Sequence, residues 1–238
     1  MMRIDILTLF PEMLASTLET SIIKRAQDAG HVEIFVHDIR DWADNKHRKV
    51  DDRPFGGGPG MVLMCQPLHD AVLAVERQSE IPARRVHFTP QGEVLKQERV
   101  EQLANEQHLL LIAGHYEGID ERVIESLEPL ELSTGDYVLS GGELPALLLV
   151  DAVVRVLPGV LGHADSAEQD SFSLRDDEGN RLLDCPHYTR PRVWNEKEVP
   201  EVLLSGDHSA VDQWRMEQMK QRTESRRPDL RDNEEVDP

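Results

Sequence analysis

Two features of this chain could do chemistry: the charged pair Asp170 and Arg155, and the glycine-framed segment Gly135-Asp136-Tyr137-Val138-Leu139-Ser140-Gly141-Gly142-Glu143-Leu144-Pro145. An aspartate can take a proton from a reacting group while an arginine stabilises the anion that develops, a coherent pair for proton removal. In the segment, a β-like run (137–139) meets adjacent glycines and then an apolar helix with proline in its first turn, where the missing N–H costs nothing. Glycines without a Cβ let backbone approach a ligand closely. On the residues alone the alternatives stay open: a tight strand-to-helix turn fits the segment as well, and a helix-capping aspartate and a surface arginine are the commoner explanations of the pair.

Two more loops carry small turn-forming residues after apolar runs, Thr89-Pro90-Gln91-Gly92 and Gly114-His115-Tyr116-Glu117-Gly118. In parallel α/β sheets ligands bind outside the carboxyl ends of strands, so three such loops together would make a pocket lined by backbone donors and acceptors. That lining suits the adenine and ribose of a nucleotide-like cofactor. The run Gly56-Gly57-Gly58-Pro59-Gly60 lacks the Gly-Lys-Ser/Thr of a phosphate-binding loop, and no Gly-x-Gly-x-x-Gly follows the first strand. A Walker-type hydrolase and a Rossmann dinucleotide site are thereby disfavoured. The glycine run reads either as a lid that admits a phosphate backbone or as a plain flexible loop.

These loops need elements to hold them. Strands are expected at Arg3–Leu9, Val32–Ile39, Arg85–Phe88, Leu109–Ala113 and Tyr137–Leu139. Helices are expected within 11–29 (with interruptions), at Pro67–Gln78, Gln97–Asn105, Asp120–Ser126 and Pro145–Leu157. Residues 40–61 read as a long loop and 89–92 as a turn. Alternating strands and helices predict an α/β layer fold with a mostly parallel sheet. The expected organisation is an α/β domain over 1–160, a polar flexible connection over 161–185 that carries Asp170, and a helical region over 186–238. That region has helices at Val199–Ser205 and Ala210–Arg222, Trp214 in its core, and an acidic tail.

Composition narrows the class. The chain has 238 residues, and its 39% hydrophobic content is enough for a real core. No run approaches the ~18 apolar residues of a membrane span, and the start offers no signal-peptide pattern, so a cytoplasmic protein is expected. Cys65 and Cys185 stand far apart, which argues against a disulfide scaffold, and Cys185 with His187 is too little for zinc. A formal net charge of −19 weighs against nucleic-acid binding. Binding depends on local patches, however, and basic residues cluster at Lys46–Lys49, Arg53 and Lys220–Arg227.

Taken together, the blocks Leu9–Met13, Val50–Met61, Pro90–Gly92, Tyr116–Arg122, Gly135–Pro145, Pro158–Gly162 and Asp184–Pro191 occur in an order that closely resembles the TrmD-type bacterial tRNA (guanine-N1)-methyltransferases of the SPOUT class. The likeness extends from the first strand to about Pro228. It implies a trefoil-knotted α/β domain that binds S-adenosylmethionine, followed by a small helical C-terminal domain, in a homodimer with shared active sites. The implied reaction is methylation of N1 of the guanosine 3′ of the anticodon (position 37), with magnesium required at residues the resemblance does not place. The alternative is a non-catalytic RNA-binding protein on the same fold.

By the same resemblance, Asp170 is the base and Arg155 stabilises charge on guanine O6. Cofactor contacts map to His87, Phe88, Thr89, Pro90, Gly114, Tyr116, Glu117, Gly118, Thr134, Gly135, Asp136, Tyr137, Val138, Leu139, Gly141, Gly142 and Pro145. Contacts to tRNA are expected from Arg48, Asp51, Arg53, Gly56, Gly57 and Gly58. The chain departs from the family pattern at His87-Phe88-Thr89, where Tyr-Leu-Ser is common, and at His115, where Arg is common. It is also expanded around 174–181.

Overall fold

His108–Ile112 (β6) is buried at every position, and it takes the centre of a five-stranded sheet of order β2-β1-β6-β5-β7. Its neighbours are β1 (Met2–Thr8), β2 (Val32–Asp38), β5 (Arg84–Val94) and β7 (Leu130–Ser133). Every pairing in this sheet is parallel. Successive side chains of a strand point to opposite faces. Accordingly Leu109 and Leu111 join one apolar cluster, while Leu110 and Ile112 join another. The first cluster is closed by α1 (Pro11–Leu18), α2 (Ser21–Asp28), α4 (Gln97–Leu103) and α6 (Glu143–Val156); the second by α3 (Cys65–Glu76) and α5 (Glu121–Leu127). Each fully buried Leu or Val contributes roughly 1.5–3 kcal/mol relative to exposure, so two covered faces suffice to hold an apolar parallel sheet.

The computed structural model describes residues 1–161 and 170–231, and the chain divides into two units, Met1–Leu161 and Gly162–Pro238. The acidic tail beyond Arg231 and residues 162–169 of the expected connection lie outside the described residues. In the second unit, Leu182, Cys185 and Met219 form a small core with Leu174 and Met216 packed against it. Residues 170–185, read from the sequence as a polar connection, thus supply Leu174, Leu182 and Cys185 to that core. Thr223 accepts a hydrogen bond from the Leu183 amide at 2.8 Å. A hairpin joins β8 (Val193–Trp194) to β9 (Lys197–Glu198), and α7 spans His208–Arg226 with Asp207 capping it through the Ala210 amide. No helix among the described residues is long and apolar enough to cross a membrane.

Several local expectations are corrected. Tyr137–Leu139 is not a strand: it has no ladder partner, and Tyr137, Val138 and Leu139 are exposed. The last strand of the sheet is β7, which starts seven residues earlier than expected and pairs with β5. Residues 89–92 do not end β5. They bulge out of it, since Phe88 and Glu93 both pair with Leu132 and the strand resumes beyond. Gly92 permits this, because a Cβ there would lie 2.5 Å from the Glu131 carbonyl carbon. The expected helix at 199–205 is a short 3-10 turn, Glu201–Leu204. Trp214 is half-buried and in ring contact with Tyr188, outside the small core.

Candidate active site

At the bulge of β5 and outside the carboxyl ends of β6 and β7, three chain segments converge on a cleft of about 250 Å³. From β5 come His87, Phe88, Thr89 and Pro90; from the loop after β6, Gly114 to Gly118; from the loop after β7 and the start of α6, Thr134, Gly135, Tyr137 to Gly142 and Pro145. Every cofactor residue named from the sequence lines it except Asp136. His115, Leu132, Ser133 and Ser140 line it as well; sequence reasoning assigned them no contact, although His115 and Ser140 lie inside the glycine-rich blocks.

Close backbone packing builds the cleft. The Gly142 amide donates to the Gly114 carbonyl at 2.7 Å, and His115 and Gly141 form an antiparallel bridge. A Cβ on Gly142 would lie 2.7 Å from Ala113 Cα, backbone against backbone. A Cβ on Gly141 would meet Glu143 Oε2 at 2.3 Å and His115 Nδ1 at 2.4 Å. Gly135 has φ +138°, a conformation that favours glycine.

Polar groups behind the wall are few and buried. Glu143, in the first turn of α6, is 1% exposed. Its Oε1 accepts from Thr8 Oγ1 at 2.8 Å, and Thr8 Oγ1 accepts from the Phe10 amide at 2.9 Å. Glu143 Oε2 stands 3.7 Å from His115 Nδ1, too far for a hydrogen bond. His115 also packs against the rings of Phe10 and Tyr116. Burial pushes the His87 imidazole pKa down, favouring its neutral form. Among the described residues, the buried side-chain nitrogens and oxygens without a hydrogen-bond partner are His87 Nδ1 and His115 Nδ1, both on residues that line this cleft. Sequence reasoning gave no role to Thr8 or Glu143.

The expected tRNA residues lie on a different part of the first unit. Asp51 pairs with Leu63 in a two-residue antiparallel ladder. Arg48 has φ +50°, pairs with Asp41 and donates to the Arg40 carbonyl. Arg53 lines a wider hollow of about 750 Å³ with Phe55, Cys65 and Arg122. Gly56, Gly57 and Gly58 all have positive φ, and a side chain on any of them would meet nothing within 4 Å. The glycine run is tied to the cleft wall where it ends: the Glu117 amide donates to the Met61 carbonyl at 3.0 Å, and Leu63 to Gly118 at 2.9 Å.

Arg155 lies exposed in the last turn of α6 in the first unit, and Asp170 lies half-buried in the second. In the second unit Asp184, Cys185 and His187 offer ligand atoms within 4.8 Å of one another, one more donor than the sequence suggested. A thiol and an imidazole do not suit magnesium, which prefers oxygen ligands.

A parallel α/β unit with a glycine-framed cleft beyond the carboxyl ends of its central strands has its cleft where such sheets take up small ligands. The match to a family model is more specific: residues 2–233 fit the one described as tRNA (Guanine-1)-methyltransferase TrmD, and the chain belongs to that family. Among similar proteins is one of Moorella thermoacetica named tRNA (guanine-N(1)-)-methyltransferase, 53% identical over 230 residues, covering 96% of this chain and 90% of that protein. A protein of Pseudomonas fluorescens with the same name is 52% identical over 229 residues, covering 96% and 89%. One of Pseudoalteromonas atlantica, likewise named, is 52% identical over 225 residues, covering 94% and 83%.

Proposed function

We propose that this chain transfers a methyl group from S-adenosylmethionine to N1 of guanine in tRNA, at the guanosine that follows the anticodon. The observation that carries the reading is the cleft framed by Gly114, Gly135, Gly141 and Gly142 in a member of this family. Its residues fit the cofactor: close-packed glycines bring main chain to the edge of the cleft, and two buried imidazole nitrogens on residues that line it have hydrogen-bonding capacity to offer. When bound, S-adenosylmethionine supplies an electrophilic methyl on a sulfonium and leaves as a neutral thioether.

The chain's residues have a defined task. Neutral guanine carries a proton on N1, so that nitrogen has no free lone pair until a base takes the proton. Asp170 is that base: it takes the N1 proton and leaves the nitrogen's pair free to accept the methyl group that the bound cofactor would supply. Arg155 faces the negative charge that spreads to O6 as the proton leaves. Much of the remaining catalysis is holding donor and acceptor in line. Magnesium is a further requirement that the family resemblance implies.

Further parts of the reading are the trefoil knot, formed by the three cleft loops, and a homodimer in which each site takes its cofactor loops from one subunit and Asp170 from the other. Support for a partner copy comes from exposed apolar side chains, Tyr137 and Val138 on the cleft loop and Leu144 and Leu148 on α6, since large exposed apolar side chains are what an interface covers. Residues 1–160 bind cofactor, 161–185 carry the base, and 186–238 contact RNA in the cytoplasm. Local cations such as Arg48 and Arg53 contact the phosphates despite the overall acidity. The non-catalytic alternative has no observation in its favour.

Asp170→Asn tests the mechanism. Turnover is expected to fall about 10²–10⁴-fold while S-adenosylmethionine affinity stays near wild type; near wild-type turnover across neutral pH would remove Asp170 from the role of base.

A further inference from the structure

Glu143 is a buried carboxylate that the reaction as described does not use. Burying a carboxylate is costly unless its surroundings compensate, and the compensation here is thin. One oxygen accepts from Thr8 Oγ1, and the other stands 3.7 Å from an imidazole nitrogen that has no hydrogen-bond partner. The position at the head of α6 helps, since a helix N-terminus favours an acid. The carboxylate lies directly behind the cleft wall: Gly141 and His115 both line the cleft, and the missing Cβ of Gly141 would sit 2.3 Å from Glu143 Oε2.

The charge balance of the cleft is one-sided. No lysine or arginine is among its lining residues, and the formally charged residue among them is Glu117. Burial moves His87 toward its neutral form. Glu117 is exposed, so solvent and salt screen it, whereas Glu143 is 1% exposed and its field is weakly screened. A wall of this kind favours a ligand bearing positive charge over an isosteric neutral one.

We propose that Glu143 is a specificity-determining residue that makes the cleft discriminate by charge, holding the sulfonium of S-adenosylmethionine more tightly than the neutral thioether left after methyl transfer. The inference rests on the reading of the cleft as the S-adenosylmethionine site. Its consequence is that methyl transfer itself weakens the hold on the product and speeds turnover. Glu143 acts through the field at the wall, with Thr8 fixing its orientation.

The test is calorimetric binding of S-adenosylmethionine and S-adenosylhomocysteine to the full chain, wild type and Glu143→Gln. Glutamine keeps the shape and the acceptor for Thr8 and removes the charge. Wild type is expected to prefer the sulfonium, and Glu143→Gln to reduce that preference about five- to tenfold, chiefly by weakening the sulfonium. Glu143→Asp, which keeps the charge, is expected to retain the preference. A purely structural role would weaken both ligands alike, and an unchanged ratio in Glu143→Gln overturns the proposal. So does a wild-type protein that binds the thioether as tightly as the sulfonium, a result that needs no variant to fold. If wild type binds neither ligand, the assignment of the cleft itself fails instead.

Discussion

Gly142 is the position where a single methyl group tests the architecture of the cleft most severely. Its φ of −83° suits any residue, so replacement by alanine carries no conformational penalty and the effect is purely one of space. The added Cβ would lie 2.7 Å from Ala113 Cα and 3.0 Å from the Gly114 amide nitrogen. Both obstacles are backbone at the end of the central strand and cannot rotate away. To restore ordinary contact the two segments must separate by a sizeable fraction of an ångström, which also strains the 2.7 Å bond from the Gly142 amide to the Gly114 carbonyl. Overpacking costs about 1–3 kcal/mol and a lost hydrogen bond about 1 kcal/mol, so Gly142→Ala should cost about 3 kcal/mol. In a protein of this size that is a fall in Tm of roughly 6–12 °C.

Gly141→Ala meets side-chain atoms of Glu143 and His115 instead. These can give way, so the stability loss should be smaller while the cleft wall is still deformed. Thermal unfolding and calorimetry with S-adenosylmethionine check both points. Gly142→Ala should lose the more stability, and both variants should bind at least about tenfold more weakly. A Gly142→Ala protein with wild-type Tm and wild-type affinity would refute the idea that close approach of these backbones builds the site.

Two other outcomes are expected. Burial pushes the Asp5 carboxyl pKa up, but hydrogen bonds from His37, Arg3 and His108 outweigh it and hold the group at about 2. Because the folded pKa lies below the unfolded one, a stabilisation on the order of 2–3 kcal/mol is present above about pH 4 and fades as pH falls toward 2. Denaturant unfolding between pH 6 and 2 should therefore show a steeper acid loss in wild type than in Asp5→Asn, and parallel curves would contradict it. For the shared site, co-expression of Asp170→Ala with a variant carrying a bulky residue at Gly141 should restore up to about half the activity in purified mixed dimers, as two-fold symmetry dictates; mixed dimers that stay inactive, with both variants folded and dimeric, would place the whole site within one chain.

Much of the cleft was legible in the sequence because its loops are written in residues whose backbone behaviour is local. Paired glycines, a proline in a first helical turn and short polar turns after apolar runs mark interruptions of regular structure without knowledge of the partners. The central strand was legible for a similar reason, since His108–Ile112 is a short apolar run bounded by turn residues. What escaped depends on pairing across the chain. Tyr137–Leu139 has the composition of a strand but no neighbour to bond to, whereas Leu130–Ser133, with Glu131 in its middle, becomes a strand because β5 is beside it. The bulge at 89–92 is a matter of register between β5 and β7, which no local pattern records. Glu143 and Thr8 are separated by 135 positions, and an acid in the first turn of an apolar helix gives no sign of a threonine that far away in the sequence.

Methyl transfer to tRNA is read out by incubating the purified protein with labelled S-adenosylmethionine and unmodified tRNA, followed by nuclease digestion and identification of the modified nucleoside and its position. The account predicts 1-methylguanosine, confined to the guanosine that follows the anticodon and absent when that base is replaced. Label in another nucleoside, label at another position, or a tRNA that is bound and left unmethylated would contradict it.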